Sequence, residues 1–331
     1  MAVREIDSNL NVLNINEDVN IIDENEGLRL IELRALINKQ DLLASLRSLN
    51  EKQQIYIHHL MHNMSNNLVF YDYVGGVAGV GKSHLIKTIY QSITHRLNSV
   101  PGTNPDNPKV LLSAPTGKAA YGIGGATLHS LFSLPVNQYS GELRPLNNDT
   151  LNSLYVKFID IKLIIIDEIS MVGAKMLAFI DARLKQIFKS TQPFGGVSIV
   201  VFGDLKQLPP VGDRWIFLQN SRNAYGILAG SVLWDNFKYF ELTEIMRQRE
   251  DKDYAVSLNN MSVGRMTNED IQLIKSRTVN NGTLLPKGAI HLFWSNKEAD
   301  NYNALRLSEI STDAHTSMAT DVVKSDSLSD A

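Results

Sequence analysis

The sequence predicts an α/β fold in which a mostly parallel sheet carries helices on both faces. Three observations lead to this prediction. Short, wholly apolar runs alternate with longer segments of helical periodicity, a glycine-rich loop joins one such run to a helix, and two carboxylates follow another run. Strands without polar alternation are typical of sheets that are covered by helices on both sides.

The elements are expected to alternate along the chain. Residues 28–49 place Leu and Ile at helical spacing, which predicts an amphipathic helix within an amino-terminal extension, residues 1–48. Helical crossovers are expected at His84–Leu97 and Ala174–Phe188, and loops at 101–108 and 135–150. Strands are expected at Leu68–Val74, Val110–Ser113, Leu163–Ile166, Ser198–Phe202 and Tyr239–Leu242.

The overall composition excludes several classes of protein. The chain has 331 residues and no cysteine, so disulfide scaffolds, cysteine nucleophiles and thiolate metal sites are excluded. The net charge is −3, and a nucleic-acid partner would therefore need a local surface rather than a basic chain. No run approaches the roughly 20 apolar residues that span a bilayer, which favours an intracellular protein without a membrane partner.

The segment Gly76–Ser83 (GVAGVGKS) fits the phosphate-binding pattern G-x-x-x-x-G-K-[ST]. It follows a predicted strand and precedes a predicted helix, as this loop requires. Its glycines allow backbone N–H groups to face phosphate oxygens, so that ATP is expected to contact Gly76, Ala78, Gly79, Val80, Gly81, Lys82 and Ser83. The Lys82 ammonium is expected to reach the β- and γ-phosphates, and the Ser83 hydroxyl to bind Mg²⁺.

Polar residues follow two other predicted strands. Asp167 and Glu168 come directly after Leu163–Ile166, an arrangement that suits a magnesium ligand (Asp167) and a general base (Glu168). Asp204 and Gln207 follow Ser198–Phe202, and Gln207 is expected to contact the γ-phosphate or the attacking water. We expect the strands before Lys82 and Asp167 to be neighbours in one sheet, with ligands at their carboxyl ends.

The order of motifs resembles that of the PIF-type (petite integration frequency) DNA helicases of superfamily one. The resemblance covers about residues 49–249. It rests on LNEKQ (49–53), GGVAGVGKS (75–83), APTGKAA (114–120), ATLHS (126–130), DEISM (167–171), GDLKQLPPV (203–211) and LTEIMRQ (242–248).

The resemblance implies a RecA-like fold and further site residues. It implies that Gln53 contacts the adenine base, that Arg247 reaches the γ-phosphate, and that a strand of DNA is contacted by Thr116, Lys118, Thr127 and His129. It also implies ATP and Mg²⁺ as cofactors, 5′-to-3′ movement on single-stranded DNA, DNA junctions as further partners, and roles in repair, recombination and telomere maintenance. The expected location is the nucleus, with the mitochondrion as the alternative. The expected oligomeric state is a monomer.

The sequence departs from the family after residue 250. Complete members have a second RecA-like lobe with two further motifs, which we do not find here; Ala289–Asp300 resembles only the opening strand and helix of that lobe. The expected organisation is an extension (1–48), a P-loop lobe (49–250), a helical linker with the start of a second lobe (251–307) and a disordered tail (308–331). An incomplete gene product and a degenerate copy, for example from a Helitron-like element, both fit this pattern.

Three functional hypotheses follow. The first is an ATP-dependent 5′-to-3′ DNA helicase. The second is a truncated, non-catalytic module that binds DNA in a nucleotide-dependent way, and the third is a P-loop ATPase unrelated to DNA, which the APTGKAA and ATLHS segments disfavour.

Overall fold

The computed structural model describes residues 35–135, 143–218, 233–246, 251–279 and 288–312. These residues fall into two compact units, which divide after Thr278. The larger unit is built on a parallel six-stranded sheet, and its strands are β1 (Tyr71–Gly75), β2 (Val110–Ala114), β3 (Ala126–Thr127), β4 (Leu163–Ile166), β5 (Ser198–Gly203) and β6 (Lys238–Glu241). The predicted α/β fold with a parallel sheet is therefore confirmed.

Helices precede, connect and follow these strands. In chain order they are α1 (Lys39–Arg47), α2 (Glu51–Ser65), α3 (Lys82–Asn98), α4 (Gly117–Ile123), α5 (Leu128–Phe132), α6 (Asn148–Phe158), α7 (Ala174–Phe188), α8 (Lys252–Ser262), α9 (Asn268–Lys275) and α10 (Asn296–Ser308). Short 3₁₀ turns lie at Ile169–Met171, Pro193–Gly196 and Leu233–Asn236. None of these described helices is both long and apolar enough to cross a membrane.

The strand order is β3-β2-β4-β5-β1-β6. The expectation that the strands before Lys82 and Asp167 are neighbours is therefore wrong, because β5 lies between β1 and β4 and pairs with both. Periodicity within each strand does not encode which strands pair. The consequence for the site is that the polar end of β5, which leads to Gln207, lies between the phosphate loop and the acidic pair.

The core has two halves, one on each face of the sheet. Successive strand residues point to opposite faces, so Ile164 and Ile166 of β4 pack with α5, α6 and α7, while Leu163 and Ile165 pack with α2 and α3. This alternation explains why the strands are apolar throughout. It also fixes α3, and the loop before it, against one face.

The amino-terminal helix is shorter than the sequence predicts in the part that the structure describes. Residues 35–37 are not helical, and α1 begins after Asn38, whose side-chain oxygen accepts a hydrogen bond from Asp41 N at 2.9 Å. This N-cap stops the helix from extending backwards, although the apolar spacing continues. Residues 28–34 lie outside the described residues.

The smaller unit lacks the strand that was expected at the start of Ala289–Asp300. Residues 288–295 form no strand, and the helix α10 begins after Ser295. Ile290, Leu292 and Trp294 are 87%, 93% and 100% exposed. A strand needs a partner for its backbone N–H and C=O groups, and the described residues of this unit provide none. Most of the predicted tail, residues 313–331, lies outside the described residues.

Candidate nucleotide and DNA site

The phosphate loop connects β1 to α3, as predicted. Gly79 and Gly81 have φ values of 88° and 82°, in the left-handed region that glycine adopts without strain. Gly76 lies so close to the segment after β6 that an added Cβ would be 2.7 Å from Leu242 O. The glycines of the motif are thus required by backbone conformation and by close packing.

Lys82 and Ser83 begin helix α3 and face one cavity of about 480 Å³. The Lys82 Nζ donates hydrogen bonds to Gly76 O at 2.6 Å and to Val77 O at 3.1 Å, so the ammonium lies over the loop. The cavity is also lined by Ala78, Gly79, Gly81, His84, Asp167, Glu168, Gln207 and Met246. The structure therefore brings the loop, the acidic pair and Gln207 together, although they come from three separate strands.

Asp167 is buried at the carboxyl end of β4. Burial raises the pKa of its carboxyl to about 6, while a hydrogen bond from Glu168 N and the charge of Lys82 act in the opposite direction. A buried carboxylate with an elevated pKa gains when a cation is bound beside it. With the Ser83 hydroxyl on the same cavity wall, the chain offers two oxygen donors, the kind and number that Mg²⁺ takes when phosphates and waters complete its shell.

Glu168 adopts a left-handed conformation, with φ 53° and ψ 49°. Such a conformation costs about 1–2 kcal/mol in a residue other than glycine. The turn is packed against β5, since a Cβ added to Gly203 would lie 2.8 Å from Ile169 N. Close packing of β5 on this turn holds the general-base candidate in its strained position.

Gln53 lies behind the loop rather than free in the cavity. Its side chain is 1% exposed, and its Nε2 donates to Val80 O at 3.0 Å. Its Oε1 accepts from Asn50 N at 3.0 Å in a capping box at the start of α2. The adenine contact of Gln53 stays a prediction; the structure adds a bond to the loop backbone that the motif alone did not indicate.

Arg247 lies outside the described residues, but its neighbour is well placed. Met246 N donates to Gly79 O at 2.8 Å, and Leu242 N donates to Gly75 O at 2.8 Å. The segment after β6 is thus tied to the phosphate loop immediately before Arg247. The role of Arg247 at the γ-phosphate stays a prediction.

The expected DNA-contacting residues lie on two short segments at the same sheet edge. Thr116 caps α4 by accepting from Ala119 N, and Thr127 caps α5 by accepting from Ser130 N, each at 3.3 Å. Both hydroxyls therefore have a structural role that the motif comparison missed; a threonine directly before a short helix was the available signal. Lys118 is exposed.

His129 is half-buried on α5. Burial lowers the pKa of its imidazole, so the ring is neutral at pH 7 and would contact a phosphate as a hydrogen-bond donor rather than as a cation.

A second cavity, of about 360 Å³, connects these segments to the nucleotide residues. Thr116 and Lys118 line it together with Ser83, Asp167, Glu168 and Gln207. Two of the side chains expected to contact DNA thus share a wall with four of those expected to act on ATP, whereas Thr127 and His129 line neither cavity.

Known proteins match this chain over most of its length. The sequence profile described as PIF1-like helicase matches residues 48–271. The chain is 30% identical over 253 residues to the ATP-dependent DNA helicase PIF1 of Emericella nidulans, covering 74% of this chain and 32% of that protein. It is 35% identical over 212 residues to PIF1 of Danio rerio, covering 61% and 29%. The chain therefore spans about a third of the length of these curated relatives.

Solved structures of similar fold include two Pif1 helicases. The Candida albicans protein superposes with a TM-score of 0.61 at 25% identity, covering 80% of this chain and 56% of that one. The Bacteroides protein, solved with ADP-AlF3 and single-stranded DNA, gives a TM-score of 0.58 at 28% identity, covering 80% and 58%.

Proposed function

The chain belongs to the PIF1-like helicase family, and from this premise we propose that it is the nucleotide-binding lobe of an ATP-dependent DNA helicase. One observation carries the proposal: Ser83, Asp167, Glu168 and Gln207 line both the nucleotide cavity and the neighbouring cavity that Thr116 and Lys118 also line. Binding at one cavity can therefore act on the residues of the other.

The proposed chemistry is hydrolysis of the γ-phosphate of ATP by water. The loop amides and Lys82 bind the phosphates, and Ser83 and Asp167 would hold Mg²⁺, which neutralises charge that develops on the phosphate oxygens. Glu168 accepts a proton from the attacking water, and Gln207 orients that water or the γ-phosphate. Arg247 would stabilise the transition-state charge.

Coupling to DNA is proposed through the second cavity. Contacts to phosphate and sugar do not depend on sequence, which suits a protein that moves along a strand. The Bacteroides relative bound to single-stranded DNA supports single-stranded DNA as the partner. From the family resemblance we further propose 5′-to-3′ movement and action at DNA junctions. The same resemblance is the basis for proposing roles in repair, recombination and telomere maintenance, a nuclear or mitochondrial location and a monomeric state.

The test separates nucleotide binding from hydrolysis. Glu168→Gln is expected to bind a fluorescent ADP analogue as the wild type does but to lower turnover by roughly 10²- to 10⁴-fold, because only the proton acceptor is lost. Lys82→Ala is expected to lose binding and turnover together. Asp160→Asn serves as the control. Asp160 lies shortly before β4, at the amino-terminal edge of the sheet, where its carboxylate forms an ion pair with Lys109.

Wild-type activity in Glu168→Gln would contradict the site assignment. If the wild type binds nucleotide and DNA without any turnover, the helicase proposal fails and the non-catalytic module replaces it. Direction is tested with biotinylated single strands: 5′-to-3′ movement displaces streptavidin from the 3′ end and not from the 5′ end.

A further inference from the structure

Helix α7, which follows the acidic pair, is capped by a carboxylate from a different segment. The residue before the helix, Gly173, has no side chain to accept its first N–H groups. Asp213 takes this role: its Oδ2 accepts hydrogen bonds from Lys175 N and from Met176 N, both at 3.1 Å. The carboxylate thus satisfies N–H groups that have no partner within the first turn of a helix.

Backbone contacts hold the same two segments together. Ala174 N donates to Arg214 O at 3.1 Å, and Gly173 forms an antiparallel bridge with Trp215. Arg214 N in turn donates to Asp213 Oδ1 at 2.7 Å, which orients the carboxylate toward the helix. The start of α7 and residues 213–215 thus form one hydrogen-bonded junction.

Gly173 is required by this junction rather than by its own backbone. Its φ of −89° and ψ of 171° are ordinary for any residue. A Cβ added there would lie 2.2 Å from Asp213 Cγ and 2.5 Å from Asp213 Cβ. Only a residue without a side chain lets Asp213 approach the helix so closely.

The junction is one of two anchors of the segment that carries Gln207. At the other anchor, which follows β5, Asp204 Oδ1 accepts from Lys206 N at 3.0 Å and Asp204 O accepts from Gln207 N at 2.9 Å. Between the anchors, Leu208 and Val211 are 70% and 86% exposed, so packing contributes little to holding this part. Gln207 Nε2 also lies 3.5 Å from Asp204 Oδ2. The turn after β5 therefore fixes Gln207 on one side, and the junction at residues 213–215 fixes the other end of its segment.

We propose that Asp213 is a positioning residue for ATP hydrolysis, which holds the Gln207 segment against the start of the helix that follows Glu168. The inference rests on the proposed function, because it assigns to Asp213 the task of keeping Gln207 and Glu168 on one cavity wall. Small displacements of a catalytic group can lower turnover by up to about 10²-fold.

The test compares three variants by steady-state ATP hydrolysis. Asp213→Ala is expected to lower kcat about tenfold or more while KM for ATP and binding of a fluorescent ADP analogue change less than about twofold, since the phosphate loop is untouched. Asp213→Asn keeps an acceptor oxygen and is expected to restore most of kcat. Gly173→Ala displaces Asp213 by collision and is expected to reproduce the Asp213→Ala kinetics.

Asp181→Ala is the matched control. Asp181 lies on the same helix and also accepts a backbone hydrogen bond, from Phe194 N at 2.7 Å, but at the opposite edge of the sheet. This variant is expected to lose stability and to keep its kcat. Equal loss of kcat in Asp181→Ala and Asp213→Ala would overturn the proposal, because general destabilisation would then explain both.

Hydrogen–deuterium exchange tests the contact without reference to activity. Asp213→Ala is expected to speed exchange in residues 204–212 and 174–176 and to leave α3 unchanged; unchanged exchange in residues 204–212 overturns the proposal. If the wild type shows no more turnover than Lys82→Ala, the proposed function fails and the role in hydrolysis fails with it, and the exchange result then decides only whether Asp213 holds residues 204–212 against the start of α7.

Discussion

Glu168 combines the side chain proposed as the general base with a strained backbone. The left-handed conformation at φ 53° is one that glycine adopts freely and alanine does not. The backbone strain therefore comes from the conformation at this position, whereas the proposed proton-accepting role depends on the carboxylate. Replacements that remove the carboxylate separate the two properties.

We expect Glu168→Gly to be more stable than Glu168→Ala by about 1 kcal/mol, because only glycine relieves the backbone strain. This reverses the order found at ordinary helical positions, where alanine is favoured. Both variants are expected to lose ATP turnover. Urea unfolding of the two proteins measures the difference, and a more stable alanine variant would contradict the strain at this position.

A buried carboxyl on β1 predicts a pH dependence of stability. Asp72 is 1% exposed, and burial raises the pKa of its carboxyl to about 6, while a hydrogen bond from Tyr56 and the charge of Lys238 lower it. His59 Nε2 lies 3.3 Å from Asp72 Oδ2. Burial lowers the pKa of this imidazole, so near neutral pH the ring is uncharged and does not form an ion pair with the carboxylate.

Between about pH 4 and 6 the folded protein retains a proton on Asp72 that the unfolded chain has lost. The contribution of Asp72 to the free energy of unfolding therefore falls as the pH rises through this range and is lowest above about pH 6. Asp72→Asn removes this dependence, so the variant should gain up to about 3 kcal/mol relative to the wild type between pH 4 and 7. Urea unfolding across this range checks the change, and a constant difference between the two proteins would contradict it.

At the residue scale, the motifs predicted the members of the nucleotide cavity but not their supports. Lys82, Asp167 and Gln207 are recognisable because each follows a strand in a fixed local pattern. The bond from Gln53 to Val80 O and the contact of Asp213 with helix α7 join segments that are distant in sequence. No local pattern records such contacts.

At the element scale, Thr116 and Thr127 each combine an observed helix cap with a proposed contact to DNA. Each hydroxyl caps a short helix at the carboxyl edge of the sheet, in a segment that the family resemblance assigns to DNA. A mutation that weakens DNA binding could therefore act through the helix. The contribution of the hydroxyl to the helix cap must therefore be measured separately from its proposed contact with DNA.

Thr127→Ala is expected to lower the free energy of unfolding by about 1 kcal/mol, and Thr127→Asn to restore it, because asparagine is also a good N-cap residue. Denaturant unfolding of the two variants measures the cap. Equal stability of the alanine variant and the wild type would show that the cap contributes nothing. Binding of single-stranded DNA by the Asn variant then reports the hydroxyl contact alone.

The elements themselves were largely predictable, whereas their arrangement was not. The apolar runs predicted β2, β4 and β5 to within a residue, since burial on both faces leaves a clear signal. The placement of β5 between β1 and β4 depends on pairing between distant strands. The missing strand at 288–295 has the same cause, because apolar residues form a strand only when a partner is present.

At the scale of the whole molecule, a net charge of −3 limits how DNA can be held. On the proposed function, we expect the attraction to come from a few cations at the carboxyl edge of the sheet rather than from the surface as a whole. Each phosphate contact that a lysine makes contributes to the dependence of affinity on salt. A change in this salt dependence when one lysine is replaced therefore shows whether that lysine contacts a phosphate.

Lys118→Ala is expected to weaken binding of single-stranded DNA and to reduce the slope of log affinity against log salt by about one contact. Lys162→Ala, directly before β4 at the opposite edge, is expected to leave the slope unchanged. Affinities for an oligo-dT strand at four or five salt concentrations provide both slopes. Equal slopes for Lys118→Ala and the wild type would remove Lys118 from the DNA surface.

The most direct test of the account is ATP turnover measured against the concentration of single-stranded DNA. The shared wall of the two cavities predicts that turnover rises with DNA to a plateau and that Lys82→Ala stays at background throughout. Turnover that does not change with DNA, or that survives in Lys82→Ala, would contradict the proposed coupling between the nucleotide and DNA sites.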